Sequence, residues 1–212
     1  MENPVIIFGA GYLGRIAKEI FESNGNVVYG FLDDDKKLHG TEIDGATVLG
    51  STDDDGFLKL IGKKCEACIA VDDNRIRKSL AKMLNEVRHV QPVNSIHSRA
   101  FLAQHVSLGH GNFIEAGVQV GVGTTLGNHT ILQAGALIGA SVTLADFVQV
   151  GAGSIINSGV VVEAEAFIGS GVTIVSGVTV GKGARIGAGS VVIAPVKAGE
   201  TVFGNPAQPV SR

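Results

Sequence analysis

The sequence contains no tryptophan, and aromatic residues make up only 5% of its 212 residues. We therefore do not expect a core built around large rings. It has two cysteines, Cys65 and Cys68, which are too few for a disulfide-stapled fold. Their C-x-x-C spacing fits a redox pair, but Cys68 lies in a predicted buried strand. The net charge of −3 gives no general attraction to nucleic acid or to an anionic membrane.

Features of a secreted or membrane protein are also missing. The start Met-Glu-Asn-Pro has no basic segment followed by an apolar one, so a cytoplasmic location is expected. Residues 116–145 carry no charge and are long enough to cross a bilayer, yet glycine and polar residues interrupt them every few positions. We predict no membrane span, and we predict no metal site.

Charge is scarce in the second half of the chain. Of the 37 Lys, Arg, Asp and Glu residues, 27 lie in residues 1–95 and ten in residues 96–212. The segment 91–95, Gln-Pro-Val-Asn-Ser, is typical of a joint between domains. We therefore predict two domains, residues 1–95 and residues 96–212.

The first domain alternates apolar runs with helix-like segments. The runs cover residues 5–8, 27–32 and 67–71, and the segment after the first run places its apolar residues at helical spacing. This alternation predicts a small Rossmann-like α/β unit with a parallel sheet.

A glycine-rich turn follows the first run. Gly9, Gly11 and Gly14 form the pattern G-x-G-x-x-G, and Asp33 follows 24 residues after Gly9. Backbone amides in such a turn can bind the phosphates of a nucleotide sugar or of a dinucleotide, and the same glycines also suit a purely structural turn. The domain is too short for a separate nicotinamide half.

Polar residues follow the other two runs. Asp33, Asp34 and Asn74 are expected at the carboxyl ends of parallel strands, where they are candidates to bind a base or a ribose. The alternative is solvated loop charge and a helix cap.

The second domain is a repeat of six residues. Every sixth residue from Ile96 to Val192 is Ile, Leu or Val, seventeen in succession, and the fifth place is small or is Val except at Asn112. A period of six fits neither an isolated helix nor a flat strand, but it fits a triangular parallel β-helix with three hexads per turn. The apolar residue points inward and stacks on the one 18 positions away.

Such a column leaves apolar residues on its outside. Because large apolar patches on a surface mark contacts, and a three-sided column suits a three-fold axis, we expect a homotrimer. The residues expected to face outward are Val122, Thr124, Ile131, Leu137, Ile155, Val161 and Phe167.

These patterns resemble one family. Uninterrupted hexads behind a small α/β domain, together with the ending Ile186-Gly-Ala-Gly-Ser-Val-Val192 and Gly204-Asn-Pro-Ala207, resemble bacterial sugar acyltransferases of the left-handed β-helix hexapeptide-repeat superfamily. The similar branch acetylates nucleotide-linked amino sugars or sialic acid. Ala70-Val-Asp-Asp-Asn-Arg-Ile-Arg77 is similar to that branch's Ala-Ile-Gly-Asp-Asn-Arg-Leu-Arg, and Ile96-His-Ser-Arg-Ala100 to its Ile-His-Pro-Ser-Ala.

The resemblance implies a site and its ligands. The N-terminal domain of the family holds a uridine nucleotide, and acetyl-CoA lies along the β-helix between subunits of a trimer. It implies that the acyl-CoA lies along small outer residues, in this chain Ser158, Gly187, Ala188 and Gly189, and beside Gln149.

The family's acid–base residues are replaced. Its general base is a histidine followed by an acidic residue, and these positions are Ala140 and Ser141 in this chain, with Gln149 at a second family histidine. His129, at a corner of the column, is the candidate replacement base. The first hypothesis is an acyl-CoA-dependent acyltransferase acting on the amine or hydroxyl of a nucleotide-linked sugar. The second is a catalytically silent relative that still binds nucleotide sugar, and the third is a dinucleotide-dependent enzyme.

Overall fold

The computed structural model of the protein describes residues 3–210. The chain divides into two compact units between Ser98 and Arg99, three residues after the predicted joint. The side chain of Asn24 donates a hydrogen bond to the backbone oxygen of Ile96 at 2.9 Å, which ties the segment after the predicted joint to the first unit.

The first unit is a five-stranded sheet with helices. Strand β1 lies between β2 and β5, and the order is β3-β4-β2-β1-β5. All pairs are parallel except the hairpin of β3 and β4. The bounds are β1 Val5–Phe8, α1 Tyr12–Ser23, β2 Val28–Leu32, β3 Glu42–Ile43, β4 Ala46–Gly50, α2 Asp55–Leu58, β5 Glu66–Ile69, α3 Asn74–Lys82, a π-helical turn Met83–Val87, and β6 Ser95–Ile96.

Burial explains why these segments form the sheet. All four residues of β1 are buried, as expected for an interior strand of a parallel sheet covered on both faces. Helix α1 buries an apolar stripe that includes Leu13, Ala17 and Ile20. The predicted α/β fold is confirmed; the β3–β4 hairpin and α2 are additions that the sequence pattern did not predict.

The second unit is a parallel β-helix of two-residue strands, which confirms the predicted fold. Strands pair with strands 18 residues away, for example Val120 with Ile138 and Ile138 with Ile156. One face contains β7 Phe101–Leu102, β10 Gln119–Val120, β13 Leu137–Ile138, β16 Ile155–Ile156, β19 Thr173–Ile174 and β22 Val191–Val192. The next contains β8 Ser107–Leu108, β11 Thr125–Leu126, β14 Thr143–Leu144, β17 Val161–Val162 and β20 Thr179–Val180.

The third face is closed at its end by a hairpin. It contains β9 Phe113–Ile114, β12 Ile131–Leu132, β15 Gln149–Val150, β18 Phe167–Ile168, β21 Arg185–Ile186, β23 Thr201–Gly204 and β24 Ala207–Pro209. Strand β24 runs antiparallel to β23, whereas the other neighbours are parallel. Within residues 3–210 no helix is long and apolar enough to span a membrane.

The first and fifth places of the hexads fill the interior. From Ile114 to Val192 the apolar first-place residues are buried. Thr124, predicted to face outward, occupies a fifth place and is buried, and its hydroxyl donates to the backbone oxygen of Gly139 at 2.8 Å. Asn112, the exception at the fifth place, is buried too and accepts hydrogen bonds from the backbone and hydroxyl of Thr130.

The fourth place of each hexad forms the corner. From residue 105 to residue 189 its backbone has a positive φ, and most of these corners carry glycine. Five corners carry a larger residue in this conformation instead: His105, His129, Ser141, Phe147 and Glu165.

The outer surface is apolar in part. Val122, Leu137, Ile155 and Val161 are exposed, as predicted. Ile131 was also predicted to face outward in the open, but it is only 2% exposed, and its neighbours on the adjacent strands, Phe113 and Gln149, are buried too. Phe167 is half-buried, and the guanidinium of Arg185 lies over its ring at 4.7 Å.

Candidate functional site

The glycine turn connects β1 to α1. Gly9 has φ +102°, and a Cβ added there would lie 2.7 Å from the backbone oxygen of Ala70, while a Cβ on Gly14 would overlap the backbone oxygen of Gly9. The packing of the chain itself therefore requires these two glycines. Gly11 differs, since a Cβ there would meet no atom within 4 Å and its φ is −73°.

The carboxylates after β2 bind backbone amides of this unit. Asp33 accepts hydrogen bonds from the backbone N–H of Ala10 at 2.8 Å and of Asp35 at 2.9 Å. Asp34 accepts from the backbone N–H and the hydroxyl of Thr52. Asp33 thus closes the glycine turn, and Asp34 holds the loop after β4.

The loop after β5 is built on a buried cation. Arg77 of α3 is 1% exposed and donates to the backbone oxygens of Val71 at 2.8 Å and Asp72 at 3.0 Å, and to the side-chain oxygen of Asn74. Burial lowers the pKa of Arg77 to about 10, although Asp72 and Asp73 act in the opposite direction. Asn74 is therefore occupied within the loop.

Asp73, not Asn74, caps α3. Its carboxylate accepts from the backbone N–H groups of Ile76 and Arg75, and these bonds lower the pKa of Asp73. This cap fixes the start of α3 directly after the loop.

The ends of β1, β2 and β5 surround a cavity of about 160 Å³. Of the predicted residues it brings together Gly9, Gly11 and Asp33, whereas Gly14, Asp34 and Asn74 do not line it. The full lining is Gly9, Gly11, Tyr12, Leu13, Asp33, Ala70, Val71 and Asp72. The sequence analysis did not predict Tyr12 or Asp72 as site residues. Asp72 directly follows the third apolar run, as Asp33 follows the second, so its position could have indicated it. The hydroxyl of Tyr12 donates to the carboxylate of Asp72 at 3.0 Å.

A second cavity, of about 300 Å³, lies on the outside of the β-helix. Ser158 lines it beside Asn157 and Gln119, and its apolar wall comes from Phe101, Leu137 and Ile155. The side-chain amide of Asn157 donates to the backbone oxygen of Ile174 at 2.7 Å, which fixes that wall.

The other four predicted acyl-CoA residues do not line this cavity. Gln149 is buried on the third face. A Cβ on Gly187 would lie 2.5 Å from the ring of Phe203, so β23 covers that glycine. Ala188 and Gly189 are exposed at a corner.

Ala140 and Ser141 occupy one corner of the column, and His129 occupies another. The backbone N–H of Ser141 donates to Val122, one turn earlier, and that of His129 to His110. Ala140 is half-buried, and Ser141 is exposed.

His129 is held by packing. Its ring is 6% exposed and stacks on Phe147 with centroids 4.8 Å apart, and on the other side it covers the backbone of Gly111, where a Cβ would overlap it. The geometry explains why His129 occupies this corner without assigning it a proton-transfer role.

Three other buried groups, Cys65, Cys68 and Glu115, are candidates for a chemical role. Cys65 and Cys68 are both free and buried, and burial raises the pKa of Cys68 to about 12, so its thiol is unreactive. Glu115 is buried and accepts a hydrogen bond from the backbone N–H of Ala134 at 3.2 Å, and burial raises the pKa of Glu115.

In the described part of the chain, no group of three His, Cys, Asp or Glu residues is placed to hold a metal ion.

Comparison with family models finds two matches. Residues 4–84 match the PglD N-terminal domain, and residues 159–194 match the bacterial transferase hexapeptide with six repeats. None of the curated proteins compared matches the sequence.

Solved structures match over nearly the whole chain. A variant of perosamine N-acetyltransferase from Caulobacter crescentus, in complex with CoA and GDP-perosamine, is 28% identical, with a TM-score of 0.91 over 100% of this chain and 99% of that one. The acetyltransferase domain of PglB from Neisseria gonorrhoeae FA1090, in complex with acetyl coenzyme A, is 26% identical, with a TM-score of 0.89 over 99% and 100% of the two chains. WeeI from Acinetobacter baumannii AYE shares the fold at 24% identity, with a TM-score of 0.85 over 98% and 99%.

The two family models, the 18-residue strand register and the whole-chain structural matches agree with the family that the sequence resembles. Over both units the chain is therefore similar to nucleotide-sugar acetyltransferases of the β-helix hexapeptide-repeat family, and its first unit is similar to the PglD N-terminal domain.

Proposed function

We propose that this protein is an acyl-CoA-dependent acyltransferase that moves an acetyl group from acetyl-CoA to an amine or hydroxyl of a nucleotide-linked sugar. The observation that carries the proposal is the match, over both units, to a relative that holds CoA and GDP-perosamine. A match of the repeats alone would support only the fold.

The nucleotide is assigned to the first unit. Its support is the cavity at the carboxyl ends of β1, β2 and β5, the position where ligands bind in open parallel sheets. Gly11 adds to this, because the chain's own contacts do not require a glycine there, whereas a ligand that approaches the backbone closely would. The GDP-perosamine held by the relative favours a nucleotide sugar over a dinucleotide.

The acyl-CoA is assigned to the outside of the β-helix. The cavity beside Ser158 has an apolar wall and the amide side chains of Gln119 and Asn157. This combination suits a pantetheine arm, which has methylene groups and two amides. Gln149, Gly187, Ala188 and Gly189 remain proposals from the resemblance, with no common cavity to support them.

The transfer itself is direct. The nucleophile attacks the thioester carbonyl carbon, the C–S bond breaks, and CoA leaves as its thiol after taking up the proton that the nucleophile loses. An amine with a pKa near ~8 is about one-tenth neutral at pH 7, whereas a hydroxyl depends on a base. With Ala140 and Ser141 at the family's acid–base positions, an amine is the better acceptor for this chain.

A second candidate is a catalytically silent relative that binds nucleotide sugar. It is favoured by Ala140 and by the packed ring of His129. Two variants of the Caulobacter crescentus enzyme, each with one histidine replaced, hold both CoA and GDP-perosamine, so binding in that relative does not need the histidine.

We also propose a homotrimer and a cytoplasmic location. The exposed side chains of Val122, Leu137, Ile155 and Val161 support self-association. The two free cysteines support a reducing compartment.

The test measures turnover with acetyl-CoA and a panel of nucleotide-linked amino sugars, with release of the CoA thiol as the readout. Thiol release that saturates with both substrates is expected. Saturable binding of both ligands without thiol release would replace the first candidate with the second.

A further inference from the structure

The cavity of the first unit is acidic. Asp33 and Asp72 line it, and among residues 3–210 no lysine or arginine lines it. The buried guanidinium of Arg77 donates to the backbone oxygens of Val71 and Asp72 and to the side chain of Asn74. The positive charge of Arg77 is therefore bound by oxygen atoms of the loop itself.

One backbone donor of the glycine turn is already bound to a carboxylate. Phosphate cradles depend on backbone N–H groups that point at the anion. The N–H of Ala10, in the middle of the turn, already donates to the carboxylate of Asp33 at 2.8 Å. A phosphate placed there would lose that donor and would meet a carboxylate instead.

Asp72 lies on the loop after β5 and lines the cavity. Here its carboxylate accepts from the hydroxyl of Tyr12 at 3.0 Å, so the pair joins the loop after β5 to the first residue of α1. Tyr12 is 53% exposed and therefore accessible to a ligand.

We propose that Tyr12 and Asp72 are a specificity-determining pair that reserves this cavity for the hydroxyl- and N–H-bearing nucleoside part of the ligand and keeps its phosphates outside. The inference rests on the proposed function. A carboxylate oriented by a phenol accepts strong hydrogen bonds from ribose hydroxyls or base N–H groups and repels an anion.

The experiment is calorimetric titration of the full chain with uridine, UMP and UDP, and with the guanosine series. Asp72→Asn keeps an oxygen for Tyr12 and removes the charge. We expect it to weaken nucleoside binding about tenfold, the loss of one charge-assisted hydrogen bond, with a similar loss for UDP or GDP. Tyr12→Phe, which leaves the carboxylate unoriented, weakens the nucleoside in the same direction. Glu42→Gln, an exposed charge change outside the cavity, is the matched control and has no effect.

The opposite outcomes overturn the inference. If Asp72→Asn strengthens UDP or GDP and leaves the nucleoside unchanged, the phosphates lie in this cavity. If it changes neither, Asp72 does not contact the ligand. Melting temperatures of the variants show whether they are folded. Thiol release measured on the same samples separates the two failures: turnover that persists while Asp72→Asn has no effect refutes this inference alone, and a wild-type chain that binds no nucleoside or nucleotide refutes both.

Discussion

Gly14 lies so close to the backbone oxygen of Gly9 that a Cβ added to Gly14 would overlap it. The start of α1 is thereby pressed against the turn that ends β1. Gly11, between them in the sequence, has open space on the side where a Cβ would be. One motif therefore contains a glycine required for packing and a glycine that packing does not require.

This contrast predicts different outcomes for two matched substitutions. Gly14→Ala should destabilise the first unit by roughly 1–3 kcal/mol or more, because backbone must move. Gly11→Ala should cost less than about 1 kcal/mol and weaken nucleotide binding instead. Thermal unfolding and calorimetry measure the two effects. Equal loss of stability, or Gly11→Ala with full nucleotide affinity, would show that the turn is purely structural.

The β-helix fold could be predicted from the sequence more fully than the functional sites could. The inward residues repeat every six positions, so a single sequence contains many copies of the same signal, and the strand register follows from it. Ile131 was misjudged because the repeat says which way a side chain points but not what covers it.

Single residues at the candidate site carry no such redundancy. Spacing placed Asp33 at the correct edge of the sheet, but it does not tell whether a carboxylate will bind a ligand or the amide of Ala10. In the same way, the hexad placed His129 at a corner but did not show its ring stacked on Phe147.

Introducing the family's acid–base pair tests whether the lack of a general base at Ala140 and of its acidic partner at Ser141 limits turnover. The variant Ala140→His with Ser141→Asp should raise turnover about a hundredfold or more, because a positioned base removes the proton during attack. His110 already occupies the third place of its hexad, as Ala140 does. Asp tolerates the φ of +54° at Ser141. Ser141→Asp alone is the control and should not raise turnover. A double variant that binds both substrates with unchanged turnover would contradict this explanation.

Glu115 should make stability depend on pH. Burial raises its pKa in the folded chain above the unfolded value of about 4.3, so its contribution is fully present below that pH and is lost as pH rises through the folded pKa. We expect Glu115→Gln, which keeps an acceptor for Ala134, to gain stability relative to the wild type over this rise. Unfolding free energies of both proteins from pH 4 to about 8 measure the difference. A difference that does not change with pH would mean that Glu115 is not perturbed by folding.

The exposed apolar residues should hold the subunits together. Leu137→Asp places a charge on that surface and should dissociate the proposed trimer, whereas Ser176→Asp at an exposed corner should not. Sedimentation velocity of the two variants and the wild type distinguishes these states. A wild-type chain that sediments as a monomer would contradict the proposed assembly.

The measurement that tests the central claim most directly is mass spectrometry of a nucleotide-linked amino sugar after incubation with acetyl-CoA and the purified chain. The account predicts a product heavier by one acetyl group, formed in step with release of the CoA thiol and absent when the chain is omitted. An unchanged sugar, together with no saturable binding of acetyl-CoA in calorimetry, would contradict it.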